Sequence, residues 1–489
     1  MNKKKYYILF WIAALTSLTT TSCSGWFDVI PRSSVYEEDL YKNEIGFQQV
    51  LTGLYQKMGG SSLYGRETTF GLVDVVSGMY YIPQTQDKSY LYATQYNYEY
   101  ADTKSVITGI WNDAYNAIAN ANELLRNAGI KQDVAPEGTQ NYTVSNAFNS
   151  EQTRDIIVGE ALAVRALLHF DLVRMFGMSP AVNGNKPAIP YVTTLKKEIT
   201  PQSTVNETLK KVITDLLQSA ALLEKTDPVV KNNPTPDDTY FAKVNRPTHL
   251  NYYAVCALLA RVYLYAGNPE EAGTWAKKVI DANAFKWSSV TALNQKDYVG
   301  TSELIFNLFI RDMETSITPY FRYGTDNSAY LLPIGEQRYK DLYTTGDRRA
   351  KAFQLYQGSY LNQKYVISSG TAVADTATVQ NRMPMIRLSE VYYIAAESDL
   401  DGGDLESAAK ELNIVRKNRG LSNKSMNTAA EIRQELNNEY QREFASEGQL
   451  FYYIKRINQP DLIDTQFVVD FVFPIPDNEY TYGNRQKNK

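Results

Sequence analysis

Two histidines and two cysteines are all that this chain of 489 residues supplies, and that scarcity excludes much metal chemistry. Zinc, copper and non-haem iron sites are built from clustered imidazole and thiolate ligands. Here His169 stands inside "RALLHFDLV" and His249 in "RPTHLNYY" near a helix start, so each suits a structural role. Cys256 lies in "NYYAVCALLARVYLYAG" and reads as a small buried hydrophobe. No metal and no cofactor is expected. The net charge is also small, because 50 Lys and Arg nearly balance 54 Asp and Glu. The formal charge is −4 and no block of Lys or Arg interrupts the body of the chain. This argues against nucleic acid as a main partner, because phosphate contacts need clustered cations. A glycine-rich phosphate loop, a G-x-S-x-G elbow and an H-E-x-x-H pair are all missing.

What is present begins with Lys3, Lys4 and Lys5, followed by an apolar stretch from Tyr6 to Leu18. The stretch is too short to cross a bilayer comfortably. Small residues Thr20, Thr21 and Ser22 then lead into Cys23. This order resembles a bacterial lipoprotein signal, in which residues 1–22 are removed and Cys23 is acylated as the new N-terminus. Thr20 stands where such signals prefer Leu. The alternative is an ordinary secretory signal with a chance cysteine. Removing residues 1–22 takes away three lysines and no acid, so the remaining chain is more acidic.

With 44% hydrophobic and 21% charged residues the chain is of ordinary globular composition. Its clearest patterns are helical. In "GIWNDAYNAIANANELLRNAG", Trp111, Tyr115, Ile118 and Leu125 share one helix face. "TRDIIVGEALAVRALLHFDLVRMFG" predicts a second long helix ending at Gly177. "TVNETLKKVITDLLQSAALLEK" predicts a third, opened by a Thr204–Glu207 capping box. Two later stretches, "ALLARVYLYAGNPEEAGTWAKKVID" and "YYIAAESDLDGGDLESAAKELNIVRK", match after a shift of 136 residues, which sets Gly267 on Gly403, Glu270 on Glu406 and Ala272 on Ala408. Each reads as a helical hairpin of tetratricopeptide type. Helical units are expected over about 107–177, 203–282, 385–420 and 429–458. Long irregular segments rich in Gly, Pro, Asn, Thr and Tyr lie between, among them 59–105 and 286–384, and loops of that length are usually functional.

Tyrosine is abundant, 37 against 18 phenylalanines. "YYIPQTQDKSYLYATQYNYEY" packs in seven, and Tyr90, Tyr92, Tyr96, Tyr98 and Tyr100 alternate with period two, as on one face of an extended segment. Such a row can be a packed floor whose hydroxyls bond backbone. It can also present flat rings to a sugar, stacking on the C–H face while Asn, Gln, Asp and Arg bond its hydroxyls. Tyr80, Tyr81, Tyr90 and Tyr92 beside the turn "PQTQDKS", with Gln84 and Asn97, are the candidates for ligand contact. Paired carboxylates are the remaining route to catalysis, since a glycosidase needs only two. Glu439, Glu443 and Glu447 recur every four residues in "NNEYQREFASEG", but such a row is expected to form a solvated or salt-bridged face with Arg433, Arg442 or Lys455.

Six stretches in order carry a wider resemblance: "WFDVIPRSS", "EALAVRALLHFDLVRMFG", "RPTHLNYYAVCALLARVYLYAGN", "MPMIRLSEVYYIAAESDL", "EYQREFASEGQLFYYIKR" and "FVFPIPDNEY". From Cys23 onward the chain resembles the SusD/RagB family of outer-membrane lipoproteins from Bacteroidetes. The resemblance implies a single, mainly α-helical domain over 23–489. In it four tetratricopeptide-like hairpins form a scaffold and long irregular loops carry the ligand site. It implies capture of a glycan oligosaccharide, or of a peptide in RagB-like members, and delivery to a SusC-like TonB-dependent transporter. It also implies a lipid anchor in the outer membrane, an outward-facing position, and no enzymatic activity. The matching site region is the Tyr80–Tyr100 stretch, joined by Tyr320, Arg322 and Tyr323 of "PYFRYGTDNSAY". Only Asp28 follows the cysteine closely, where many surface lipoproteins of that phylum carry several acids.

Overall fold

A computed structural model describes residues 40–83, 88–130, 146–196, 198–233, 245–324, 330–366 and 380–489. Cys23 with its signal, and Gln84, lie outside the described residues.

Apolar content on every side decides the position of helix α5 (Glu151–Phe176). From Thr153 onward all its residues but Asp155 are buried, as expected of a helix with no polar face. It packs between α4 (Ala101–Asn127) and α6 (Val205–Thr226). The capping box predicted at Thr204 and Glu207 opens α6. Charges buried along α5 are all spoken for. Arg165 donates to both carboxylate oxygens of Asp215 on α6 and to Asn122 on α4, tying three helices together. Glu160 accepts from Tyr55 of α1 (Glu44–Met58) at 2.7 Å and from Arg246 at 2.6 Å, and pairs with His249 at 2.7 Å. His169 accepts the Val192 N–H through Nε2 and meets the Arg165 carbonyl through Nδ1. Burial pushes its pKa down to about 3, so the ring is a neutral structural bridge. Both histidines are structural, and the Cys256 thiol, pushed up to about 12 by burial, is packed in the core.

The end of α5 is closed from far away. The Lys455 ammonium donates to the Arg174 carbonyl at 2.6 Å, the Phe473 N–H to Met175 at 3.0 Å, and the Asn488 amide to Phe176 at 2.5 Å. These are carbonyls that a helix cannot satisfy itself.

The repeat read from the sequence is present at every boundary. Helices α7 (Tyr252–Tyr265) and α8 (Pro269–Ala282) correspond to α10 (Leu388–Asp401) and α11 (Leu405–Asn418) with the same 136-residue offset at all four ends. Gly267 and Gly403 both take positive φ, 80° and 84°. Asn268 and Asp404 then cap the second helix by accepting an N–H three residues on. Buried Ala272, Ala276 and Val279 match Ala408, Leu412 and Val415. The two hairpins pack side by side through α8 and α10. A Cβ at Gly273 would stand 2.1 Å from the Ser398 hydroxyl oxygen. Gly273→Ala is therefore expected to destabilise the protein by about 1–3 kcal/mol, the usual cost of overpacking. Adding Ser398→Gly should restore most of the loss, read as a recovered melting temperature.

The segment 286–384, expected to be irregular, contributes most of the strands. β3 (Leu304–Phe309) pairs antiparallel with β7 (Arg382–Arg387) against the helices. β4 (Ile334–Gly335), β6 (Ser359–Asn362) and β5 (Phe353–Tyr356) make a small sheet in the order β4-β6-β5. The β5–β6 hairpin turns at Gln357 and Gly358, both at positive φ, the conformation of a two-residue type I′ turn. A further short pair, β1 (Pro187–Pro190) and β2 (Gln202–Thr204), lies beside α6.

Candidate functional site

The predicted period-two tyrosine face does not form. Residues Lys88–Ala93 make a short helix, α3, and a turn follows in which Tyr96 takes φ 57°. Tyrosines two apart therefore point in different directions. Tyr90 is buried and donates to Glu67 at 3.0 Å; Tyr98 is buried and donates to the Asp470 carbonyl at 2.6 Å. Tyr96, half-buried, donates to the Val76 carbonyl, and Tyr92 stacks on Tyr100 at 3.9 Å. Tyr80 is buried among core residues, and Asn97 is exposed in the turn, its N–H donating to the Tyr92 carbonyl at 3.0 Å. Most of this stretch is the packed floor: Tyr80 and Tyr90, expected to face ligand, are buried, while Tyr92 is half-buried against Tyr100.

Tyr81 is the exception, 58% exposed. Its N–H donates to the Pro333 carbonyl at 2.9 Å, fixing it beside β4. A Cβ at Gly335 would meet the Tyr81 Cβ at 3.9 Å, so Tyr81 leans over the face of the sheet to which position 335 points. Paired residues of antiparallel strands share a face. Gly335, Ser359 and Tyr356 are such a row. Tyr356 in turn packs against Tyr323, centroids 4.4 Å apart, and Tyr323 is 61% exposed. Tyr81, Tyr356 and Tyr323 thus form an open aromatic platform across three strands, with Gly335 and Ser359 as its low centre.

The turn that carries Tyr323 also carries Tyr320, which joins this platform to the tyrosine stretch. Arg66 donates through Nη1 to the Tyr320 hydroxyl at 2.7 Å and through Nε to Glu67 at 2.6 Å. Glu67 also takes the Tyr90 hydroxyl and the Leu72 N–H, the latter at 3.1 Å, where α2 (Leu72–Val76) begins. A continuous chain Tyr90–Glu67–Arg66–Tyr320 results. Burial lifts the Glu67 carboxyl above its ordinary value against the pull of Arg66. Burial also opposes the Arg66 charge, but Glu67, Tyr90 and Tyr320 outweigh it and keep the guanidinium protonated. Phe70 packs beneath Tyr320 at 5.5 Å, and exposed Tyr330 stands 6.4 Å away over a shallow cavity with Pro319 and Ser316. Arg322 lies 3.7 Å from Glu314.

The structure therefore brings Tyr81, Tyr320 and Tyr323 together and leaves Tyr80, Tyr90, Tyr92 and Asn97 out of the platform. Sequence reasoning missed Arg66, Glu67, Tyr330 and Tyr356. The Gln357-Gly358 pair between apolar stretches was a signal for the hairpin that places Tyr356. The contact of Arg66 with Tyr320 spans 254 residues and has no local signal.

The carboxylate row is salt-bridged as expected, but buried rather than solvated, and with mostly different partners. Glu439 and Glu443 end helix α12 (Ala429–Glu443), while Glu447 lies in the turn beyond. Arg442 does pair with Glu439, at 2.7 Å. Arg433 instead pairs with Asp401, and Lys455 closes α5. Glu439 bonds Arg349 and Tyr393, and is drawn down to about 2 by Arg349 and Arg442 against the cost of burial. Glu443 bonds Arg419, Arg349 and Ser389 and is drawn well below its ordinary value by Arg419, Arg349 and Arg387 against the cost of burial. Neither can serve as the protonated acid of a glycosidase near neutral pH.

Comparison with known proteins gives a consistent result. Residues 25–264 match the family described as "Starch-binding associating with outer membrane" and residues 260–488 match the "SusD family". SusD-like protein P2 of Formosa agariphila is 24% identical, with 93% of this chain and 91% of that one covered. A SusD superfamily structure from Bacteroides thetaiotaomicron superposes with a TM-score of 0.69 at 16% identity, covering 92% of this chain and 99% of the other. A SusD-like carbohydrate binding protein from Bacteroides vulgatus superposes with a TM-score of 0.66 at 19% identity, covering 85% and 84%.

Proposed function

Since this chain belongs to the SusD/RagB family, matched piecewise over residues 25–488, we propose that it captures an oligosaccharide on the platform of Tyr81, Tyr356 and Tyr323, without cleaving it. The observation that carries this reading is the pair of exposed rings, Tyr81 and Tyr323, fixed on opposite sides of one rigid sheet row. Rings held open at such cost in exposed apolar surface suit the C–H face of a sugar. Arg66 and Tyr320 supply polar groups for ring hydroxyls at the border. Arg66 is already neutralised by Glu67, so the border favours an uncharged glycan.

In this reading Cys23 carries the lipid anchor, the protein sits on the outer face of the outer membrane, and its partner is a SusC-like TonB-dependent transporter. Among the described residues no helix is long and apolar enough to cross a membrane. A single acyl chain anchors only marginally, so further acylation or the transporter must add to it. Capture on a tethered protein beside its transporter needs only modest affinity. The test is calorimetry of the chain from Ser24 onward against plant, fungal and host glycans, with an oligopeptide mixture alongside. Binding of one glycan class without release of reducing ends is expected. Binding of peptides alone would move the same scaffold to RagB-like peptide capture.

A further inference from the structure

The β4-β6-β5 sheet has a second face. Phe353, at the start of β5, lies on the side opposite Tyr356 and borders a cavity of about 70 Å³, room for one small ion or a few waters. The far walls come from the end of α11, from α12 and from the loop around residues 288–300. Six of the lining side chains are Arg or Lys and only three are carboxylates. The balance is restored behind the wall. Arg349 is held by Asp347 and Glu439, and Arg387 by Glu447, carboxylates that do not line the cavity. Arg419 is paired within the lining itself, to Glu303 and Glu443, Lys364 pairs with Glu447 and Arg442 with Glu439, so of the six cations Arg348 alone lacks a carboxylate partner among the described residues.

Two donors in that wall are unspent. Arg348 has no carboxylate within 4 Å among the described residues, and its one side-chain bond is a long one, 3.4 Å, to the Asn418 carbonyl. Its backbone is fixed by an N–H bond to the Arg419 carbonyl at 2.8 Å, and Gly420, at φ 84°, leaves it room: a Cβ there would stand 2.8 Å from the Arg348 Cγ. The Ser288 hydroxyl is buried without a partner, although the Ser288 N–H donates to Glu303 at 2.7 Å. The Ser288 hydroxyl and the Arg348 guanidinium line the same cavity, and a buried hydroxyl without an acceptor is costly.

We propose that this cavity is a small-oxyanion site, of a size and charge for phosphate or sulfate, with the Arg348 guanidinium as its free charge and the Ser288 hydroxyl as its neutral donor. It backs onto the sheet that carries the aromatic platform and is independent of whether that platform binds sugar. The probe is inorganic phosphate, titrated by calorimetry and by thermal shift at constant ionic strength set with sodium chloride. Saturable binding and a phosphate-dependent rise in melting temperature are expected. Arg348→Ala should weaken binding at least tenfold, Ser288→Ala severalfold, and Arg348→Lys should keep part of it. Phosphate effects equal to those of chloride, or unchanged in Arg348→Ala, would overturn the proposal. Should Arg348→Ala fail to fold, Arg348→Lys and Ser288→Ala decide by the same reading. Glycan binding measured in the same variants should be unaltered, so a failure here is separable from a failure of the platform.

Discussion

Glu443→Ala is expected to be the most damaging single substitution in this protein, costing about 3–5 kcal/mol or more. The side chain is 3% exposed and bonds Arg419, Arg349 and Ser389, with Arg387 3.6 Å away. Removing it leaves three guanidiniums facing one another without the carboxylate they share. Glu443→Gln keeps the volume and some acceptor capacity, and should fall between alanine and wild type. Thermal denaturation of the soluble chain gives the order. The same network dictates the response to acid. Glu443, Glu439 and Glu160 are all drawn below the ordinary carboxylate value, the last two to about 2, by cations that overcome the cost of burial. Each contributes stability that is complete above the unfolded pKa near 4.5 and is lost as pH falls towards 2. Asp74, lifted by burial, acts in the opposite sense. Acid unfolding centred between about pH 4.5 and 2 is expected. A flat stability profile over that interval would contradict the ionised state of the network.

The second large effect concerns binding. Tyr81→Ala and Tyr323→Ala should each weaken glycan capture by about 1–3 kcal/mol, roughly 5-fold to 150-fold, as central aromatic anchors do. Both rings are more than half exposed, so the melting temperature should hardly move. Tyr90→Phe makes the contrast. It takes a hydroxyl from Glu67 in a buried site, which should lower stability while leaving capture near wild type. Equal affinity in wild type and the Tyr81→Ala, Tyr323→Ala double variant would remove the platform as the site.

How far the sequence reached is clearest at three places. The face of α4, the long apolar run of α5 and the paired hairpins were legible because apolar spacing and turn residues are local. Even the offset between Gly267 and Gly403 survives into matching φ angles. The tyrosine stretch misled because its even spacing occupies a six-residue helix and a turn, too short for either period to be told apart from the other. Which rings are buried then depended on partners such as Glu67 and Asp470, the second 372 residues from Tyr98. The carboxylate row was correctly read as salt-bridged. Its burial was not legible, because Arg349, Arg387 and Arg419 arrive from other parts of the chain.

The closure of α5 has a consequence in time. The helix at the centre of the molecule is synthesised some 280 residues before Lys455 reaches its end, and Phe473 and Asn488 come later still. Until they arrive, three carbonyls at the heart of the fold have no protein partner. The core can collapse early, but the last turn of α5 is locked only once the segment from Lys455 to Asn488 is in place.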